Sequence, residues 1–111
     1  MPLPANAAEN AFDALGNPVR RQILRILSRE PSAVGEIAAA LPVSRPAVSR
    51  HLRILEKAQL VSHARRGSSN IFQVNEQAFR SAQAYLEEFW SGTLARFKLV
   101  AENRPSRRKP R

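Results

Sequence analysis

Apolar residues recur at intervals of three and four along most of the chain, which is the spacing of one face of an α-helix. Signals for helix ends divide this pattern, among them Gly16, the pair Asn17-Pro18, Pro31 and Pro42. The pattern therefore predicts five helices in succession. They are expected to span residues 7–15, 18–29, 33–41, 45–58 and 76–101.

Three of these helices are preceded by a residue whose side-chain oxygen can accept a hydrogen bond from the first turn. We expect Asn17, Ser32 and Ser44 to act as these N-caps. Pro46 would then be the second residue of its helix, where its missing N–H has no partner within the helix anyway. The proline is thus expected to fix the start of the helix rather than to break it.

The helical spacing of apolar residues stops in the segment "VSHARRGSSNIFQVN", which begins at Val61 and has a β-like pattern instead. Residues 61–66 and 70–74 read as strands joined by a three- or four-residue loop at Gly67-Ser68-Ser69. The two helices before this hairpin are joined by a short turn. The predicted fold is mainly α with a β-hairpin wing, a winged helix-turn-helix of order ααααββα.

The length of 111 residues fits one domain. We expect residues 7–101 to form it, with terminal helices that mediate dimerisation. Residues 1–6 are expected to be a flexible lead, and residues 102–111 a basic, disordered tail.

The fourth predicted helix has an outward face rich in arginine. With Val48, Leu52 and Leu55 turned inward, helical geometry places the polar residues on the other side. Arginine can donate two hydrogen bonds to guanine, serine can contact bases or phosphates, and a helix N-terminus attracts phosphate. We therefore expect this helix to lie in the major groove of DNA. The candidate contacts are Ser44, Arg45, Pro46, Ala47, Ser49, Arg50 and Arg53.

The predicted hairpin tip carries Arg65, Arg66 and Gly67. Two guanidinium groups beside a flexible turn can reach backbone phosphates or an adjacent minor groove. We expect this wing to be the second DNA contact.

The last predicted helix has an apolar stripe wider than one small domain needs. Part of that stripe is therefore expected to face a second copy of the chain, so that the protein is a homodimer with two recognition helices on one DNA molecule. The candidate interface residues are Phe12, Leu15, Leu86, Phe89, Trp90, Leu94 and Phe97.

The charge agrees with an anionic partner, because 18 Lys and Arg stand against 9 Asp and Glu. There is no cysteine, and hence no disulfide or thiolate metal site. We expect no metal, no cofactor and no catalytic residues, since no nucleophile elbow, phosphate loop or paired carboxylates occur. No signal peptide or membrane span is seen, which favours a cytoplasmic protein.

Two other functions fit the basic composition. The first is an RNA-binding or ribosome-associated protein, although Phe72 is the one aromatic residue on the strands. The second is a winged helix that has become a protein-interaction module. Solubility alone could also account for the charge.

Four segments resemble the ArsR/SmtB family of bacterial winged-helix repressors over residues 8–101, most specifically over residues 34–61. The motif "LPVSRPAVS…HLRIL", together with "FW…L" in the last helix, resembles the sequences of a metal-independent branch of the family, the sporulation-delay-type autorepressors. The resemblance implies a homodimer on an operator of approximate twofold symmetry. It also implies contacts from Arg45, Pro46, Ser49 and Arg50, with Ser44 and Ala47 beside them. The four segments are "LGNPVRRQILRIL", "VGEIAAALPVSRPAVSRHLRILEKAQLV", "RRG" and "AYLEEFWSGTLARFKLV".

The chain departs from the family's metal sensors at both of their usual sites. Where these often carry Cys-x-Cys, this chain has Ala33, Val34 and Gly35. Its last helix has neither the Asp nor the His that other members use. The effector is therefore left open, as an unknown small molecule or protein, or control by the abundance of the repressor itself.

Overall fold

The computed structural model describes residues 5–103, so the predictions for residues 1–4 and 104–111 lie outside the described residues. Over the described range the chain forms five helices and three short strands. In chain order these are α1 (Ala5–Leu15), α2 (Pro18–Arg29), β1 (Ser32–Ala33), α3 (Val34–Ala39), α4 (Arg45–Lys57), β2 (Val61–Arg66), β3 (Ser69–Val74) and α5 (Glu76–Asn103).

The helices that open with a capping side chain begin where the sequence places them. The Asn17 side-chain oxygen accepts hydrogen bonds from the N–H groups of Val19 and Arg20 at 2.9 and 3.1 Å. α2 then starts at Pro18, as predicted. Two helix ends that lack such a cap differ from the prediction. The first residue of α1 lies two positions earlier than predicted, and the last residue of α5 lies two positions later. The proposed division into lead, domain and tail stays a prediction.

Ser32 is not a helix cap, contrary to the prediction. It belongs to β1 and pairs with Phe72 of β3, and its hydroxyl donates a hydrogen bond to the Glu30 carbonyl at 3.1 Å. α3 therefore begins only at Val34 and is shorter than the predicted helix 33–41. The Glu36 carboxylate closes its first turn by accepting from the Ala33 N–H at 2.8 Å.

The three strands form one antiparallel sheet in the order β1-β3-β2. The hairpin register ends with Arg66 opposite Ser69, so its loop contains two residues, Gly67 and Ser68. The predicted loop of three or four residues was wrong, because Ser69 still pairs in the sheet. Gly67 has a φ of 62°, which a residue without a Cβ adopts without strain.

One core cluster joins all five helices to the sheet, with Ala11 and Ala14 from α1 and Ala78 and Ala82 from the start of α5. The predicted inward stripe of α4 forms part of it, since Val48, Leu52 and Leu55 are all buried. This burial fixes the rotation of α4 and thereby determines which of its residues face away from the core. The largest fully buried side chains are Ile23, Ile37, Leu52, Leu55, Leu60, Val48 and Val61.

A tight turn carries the chain from α4 into the wing. Gln59 has a left-handed φ of 67°, and the Leu60 N–H donates to the Leu55 carbonyl at 3.0 Å. Asn75, which follows the hairpin, donates from its side-chain nitrogen to the Gln59 carbonyl at 2.9 Å. These bonds hold both ends of the β2-β3 hairpin beside the end of α4. The predicted winged helix-turn-helix fold is confirmed, with β1 as a strand that the sequence did not reveal.

Candidate nucleic-acid interface

The start of α4 has the capped geometry that the sequence predicted. Ser44 has an extended backbone, with φ −73° and ψ 157°, and its hydroxyl oxygen accepts from the Ala47 N–H at 3.2 Å. Arg45 and Pro46 are the first two residues of the helix. The arginine-bearing face is thus attached to a helix whose first residue is fixed by a local hydrogen bond.

The outward side of α4 is polar and carries free guanidinium groups. Arg50 and Arg53 are exposed and have no hydrogen bond or ion pair within residues 5–103. Ser49 and Ala47 are half-buried at the edge of this face. Arg50 and Arg53 can therefore donate to an incoming ligand without first giving up an internal partner.

Arg45 lies closer to the protein than the sequence suggests. Its guanidinium group packs over Gly35 in α3, where a Cβ added to the glycine would be 3.4 Å from Arg45 Nη1. The guanidinium group therefore lies within van der Waals reach of α3, so Arg45 touches both helices of the helix-turn-helix. Sequence reasoning considered Gly35 only as a lost metal-ligand position and missed this contact.

His51 occupies one flank of α4 and is joined to α2. Its Nδ1 accepts from Arg20 Nη1 at 3.3 Å, and Arg20 Nε donates to the Ala14 carbonyl of α1 at 2.7 Å. Burial, and then the charges of Arg20 and Arg50, lower the pKa of His51 below its usual 6.5. The lowered pKa favours the neutral ring, which is the form that accepts this hydrogen bond.

Glu56, on the opposite flank of α4, is joined to the wing. His63 Nδ1 of β2 donates to the Glu56 carboxylate at 2.6 Å, and the His63 ring lies 5.0 Å from that of the buried Phe72. Both polar side chains are about one third exposed. The pair connects the base of the wing directly to the recognition helix.

Every residue from Ala64 to Asn70, at the tip of the wing, is exposed. Arg65 Nε donates to the Gly67 carbonyl at 3.2 Å, which folds this arginine over the turn. Arg66 has no hydrogen bond or ion pair among the described residues. The hairpin from Val61 to Val74 contains no acidic residue, so its tip presents only positive charge.

From Leu86 onward, α5 exposes a row of large apolar side chains. Leu86 is 40% exposed and Phe97 71% exposed, whereas Phe12 and Leu15 of α1 are half-buried against the protein's own core. Leu99 is also exposed and was absent from the predicted interface. Whether these side chains meet a second subunit stays a prediction. The exposed members are Leu86, Phe89, Trp90, Leu94, Phe97, Leu99 and Val100.

The described residues offer no ready metal site, since nowhere between residues 5 and 103 do three His, Asp or Glu side chains come together. Among the same residues, every helix is too short or too polar to cross a membrane.

An arginine-faced helix-turn-helix with a basic wing defines a class of DNA-binding regulators. Comparison with known proteins agrees. The family described as "Bacterial regulatory protein, arsR family" matches residues 17–63, from α2 to the base of the wing. The chain belongs to this family.

Two curated relatives extend the likeness beyond that segment. The HTH-type transcriptional regulator Rv2034 of Mycobacterium tuberculosis is 38% identical over 95 residues, which are 86% of this chain and 89% of the relative. The transcriptional repressor SdpR of Bacillus subtilis is 31% identical over 80 residues, which are 72% of this chain and 89% of the relative. The resemblance stated from the motifs is confirmed.

A solved structure shows that the likeness extends to most of the fold. The ArsR-like transcriptional regulator from Rhodococcus sp. RHA1 superposes with a TM-score of 0.76 at 28% identity. The match covers 89% of this chain and 96% of that one. The protein is therefore a winged helix-turn-helix transcriptional regulator.

Proposed function

We propose that the protein is a homodimeric repressor that binds a near-palindromic DNA operator. In this proposal α4 of each subunit enters a major groove, and wing residues 65–69 lie on the backbone or in a minor groove. The observation that carries the proposal is the outward face of α4, where Arg50 and Arg53 are exposed and unpaired beside a buried stripe. Repression is favoured because a relative, SdpR, is named a repressor.

The helix presents its contacts at a spacing that suits base pairs. Arg45, Ser49 and Arg53 follow each other at intervals of four residues, so they cover about 12 Å at a rise of ~1.5 Å per residue. Base pairs are stacked ~3.4 Å apart, so this row spans three to four of them. We assign Arg50 to a bidentate contact with a guanine and Arg66 to a phosphate.

The homodimer is supported by the exposed side chains of α5. Phe89 and Trp90 are each at least half exposed and lie 5.6 Å apart, ring to ring. Burying such surface against a second copy removes it from water, and a twofold axis places two recognition helices ~34–36 Å apart. The proposed interface comprises Phe12, Leu15, Leu86, Phe89, Trp90, Leu94 and Phe97.

In this account the protein acts by occupying DNA, so we assign it no reaction and no cofactor. Its target is chromosomal DNA, and we therefore place it in the cytoplasm. The proposed DNA contacts are Ser44, Arg45, Pro46, Ala47, Ser49, Arg50, Arg53, Arg65, Arg66 and Gly67.

The direct test is capture of fragments from the organism's own genome, followed by binding of the enriched duplex against structured RNA of equal length. We expect one duplex motif with approximate twofold symmetry, and affinity that falls steeply with salt. Equal binding to RNA, or enrichment without a shared motif, would reject the proposal.

A further inference from the structure

A cleft of about 320 Å³ lies between α1, α2 and α4, on the flank of the recognition helix that faces away from the wing. Asp13 and Ala14 of α1, Arg20 of α2, and Ile54 and Lys57 of α4 form its walls. The volume is at the lower end of the range found for small-molecule sites. The cleft thus joins a helix of the proposed dimer interface to the helix proposed to read DNA.

The wall formed by α4 contains an unusual apolar side chain. Ile54 is 37% exposed, and among the described residues it is the one large hydrophobic residue outside α5 with such exposure. It faces the cleft together with the aliphatic surface of Ala14. A ligand with an apolar group can cover Ile54 and gain the free energy of removing that surface from water.

The charges around the cleft favour an anion. Lys57 has no hydrogen bond or ion pair within residues 5–103, and the carboxylate of Asp13 has none either. Arg20 adds a second cation, so two positive charges face one negative charge across the cleft. The excess of one positive charge matches a singly charged anion.

Arg20 links the cleft to the recognition helix. Its guanidinium donates to the carbonyls of Ala14 and Asp13 at 2.7 and 3.5 Å, and to His51 Nδ1 at 3.3 Å. The neutral His51 is a weak partner for a guanidinium, whereas a carboxylate is a stronger one. An anion in the cleft therefore competes with His51 for Arg20.

We propose that this cleft binds a small organic monocarboxylate with an apolar body, and that the ligand weakens DNA binding by drawing Arg20 away from His51. The second part rests on the proposed function. This site would give the protein an effector response without the metal ligands that it lacks at Ala33, Val34 and Gly35.

The first experiment titrates the full-length protein with benzoate and follows backbone amides and isoleucine methyl groups by NMR. We expect saturable shifts at the Ile54 methyl and the Ala14 amide. Neutral benzyl alcohol and inorganic phosphate should each bind the wild type at least fivefold more weakly than benzoate does. Benzoate should also bind the variant Lys57→Met at least fivefold more weakly than it binds the wild type. Shifts elsewhere only, no saturation, or equal binding of benzyl alcohol would overturn the site.

The second experiment measures operator affinity with and without saturating benzoate, each variant being compared with its own ligand-free value. The dissociation constant should rise at least fivefold for the wild type and less than twofold for Arg20→Lys, whose amine cannot make the same three bonds. No change for the wild type would overturn the coupling while the NMR result still decides the site. If the wild-type protein does not bind the operator even in the absence of benzoate, the proposed function itself is rejected.

Discussion

α4 and α5 are both amphipathic, but they divide apolar and polar residues differently. α4 has 13 residues and buries its whole apolar stripe within one chain, since Val48, Leu52 and Leu55 are at most 1% exposed. α5 has 28 residues, and its buried positions are Ala78, Ser81 and Ala82, all near its start. Phe79 also packs against the core there. From Leu86 onward, the large aliphatic and aromatic side chains of α5 are exposed.

This difference indicates which kind of partner the exposed surface of each helix suits. The free groups on the outward face of α4 are the guanidiniums of Arg50 and Arg53, which require an anionic partner. The exposed row on α5 consists of rings and aliphatic chains. A helix of this length extends about 42 Å at ~1.5 Å per residue, and the molecule measures 70 × 32 × 21 Å. The exposed apolar row from Leu86 to Val100 therefore lies beyond the protein's own core, as the proposed dimer requires.

The largest effect is expected inside the stripe of α4. Leu52→Ala should lower the free energy of unfolding by about 2–5 kcal/mol, because it leaves a cavity in the core. Urea denaturation at several protein concentrations measures this loss. Leu94→Ala is the matched control on α5 and should act mainly through dimer dissociation, so its effect should depend on protein concentration. A loss for Leu52→Ala below 1 kcal/mol would contradict the comparison.

Trp90→Ala should weaken the dimer by about 2 kcal/mol or more, because a large aromatic side chain at an interface contributes strongly. This corresponds to roughly a 30-fold rise in the dimer dissociation constant. Sedimentation equilibrium measures it, with Glu87→Ala on the same helix as the control. A dimer dissociation constant unchanged from that of the wild type would remove Trp90 from the interface.

Arg50→Ala should lower operator affinity by about 1–3 kcal/mol, since it removes a bidentate base contact. Fluorescence anisotropy with the captured operator provides the measurement. Arg29→Ala removes an exposed arginine from the end of α2, outside the proposed surface, and should leave affinity unchanged. Equal losses in both variants would mean that overall charge, and not this face of α4, determines binding.

Arg66→Ala should weaken binding to many sequences alike, because we assign it to a phosphate. Each lost phosphate contact lowers the salt slope by ~0.9, or about 2 for the two copies in a dimer. Affinities measured over a range of salt concentrations give the slope. A loss restricted to one base position would show that the wing reads sequence.

The smallest effect concerns the flank of α4 that carries His51. Because the pKa of His51 is lower in the folded chain than its usual 6.5, the unfolded chain binds more protons below that pH. Stability should therefore be fully present above pH 6.5 and fall as the pH drops through the window below it. Unfolding measured against pH should show a shallower fall for His51→Gln. Identical profiles would contradict the burial of His51 beside Arg20.

The parts of the fold that are determined by residues close together in the sequence were predictable. Asn17-Pro18 and Ser44-Pro46 mark helix starts because each cap bonds within three residues of itself. β1 was not predictable, since the two residues Ser32 and Ala33 become a strand only by pairing with β3 far along the chain. Ser32 is a good capping residue, and a local reading therefore misassigned it.

The candidate site likewise has one part that the sequence predicted and another that only the structure shows. The helical period predicted which side of α4 is polar, because the buried stripe fixes the rotation of the helix. The hydrogen bonds from Arg20 to His51 and from His63 to Glu56 join different elements, so no local pattern indicated them. These tertiary contacts on the flanks of α4 are what the structure adds to the sequence.

The central claim is that two copies of α4 enter one DNA molecule, and hydroxyl-radical footprinting of the captured operator tests it most directly. We expect two protected windows with centres ~10–10.5 base pairs apart, related by twofold symmetry and both weakened by Arg50→Ala. A single window, or protection that Arg50→Ala leaves unchanged, would contradict it.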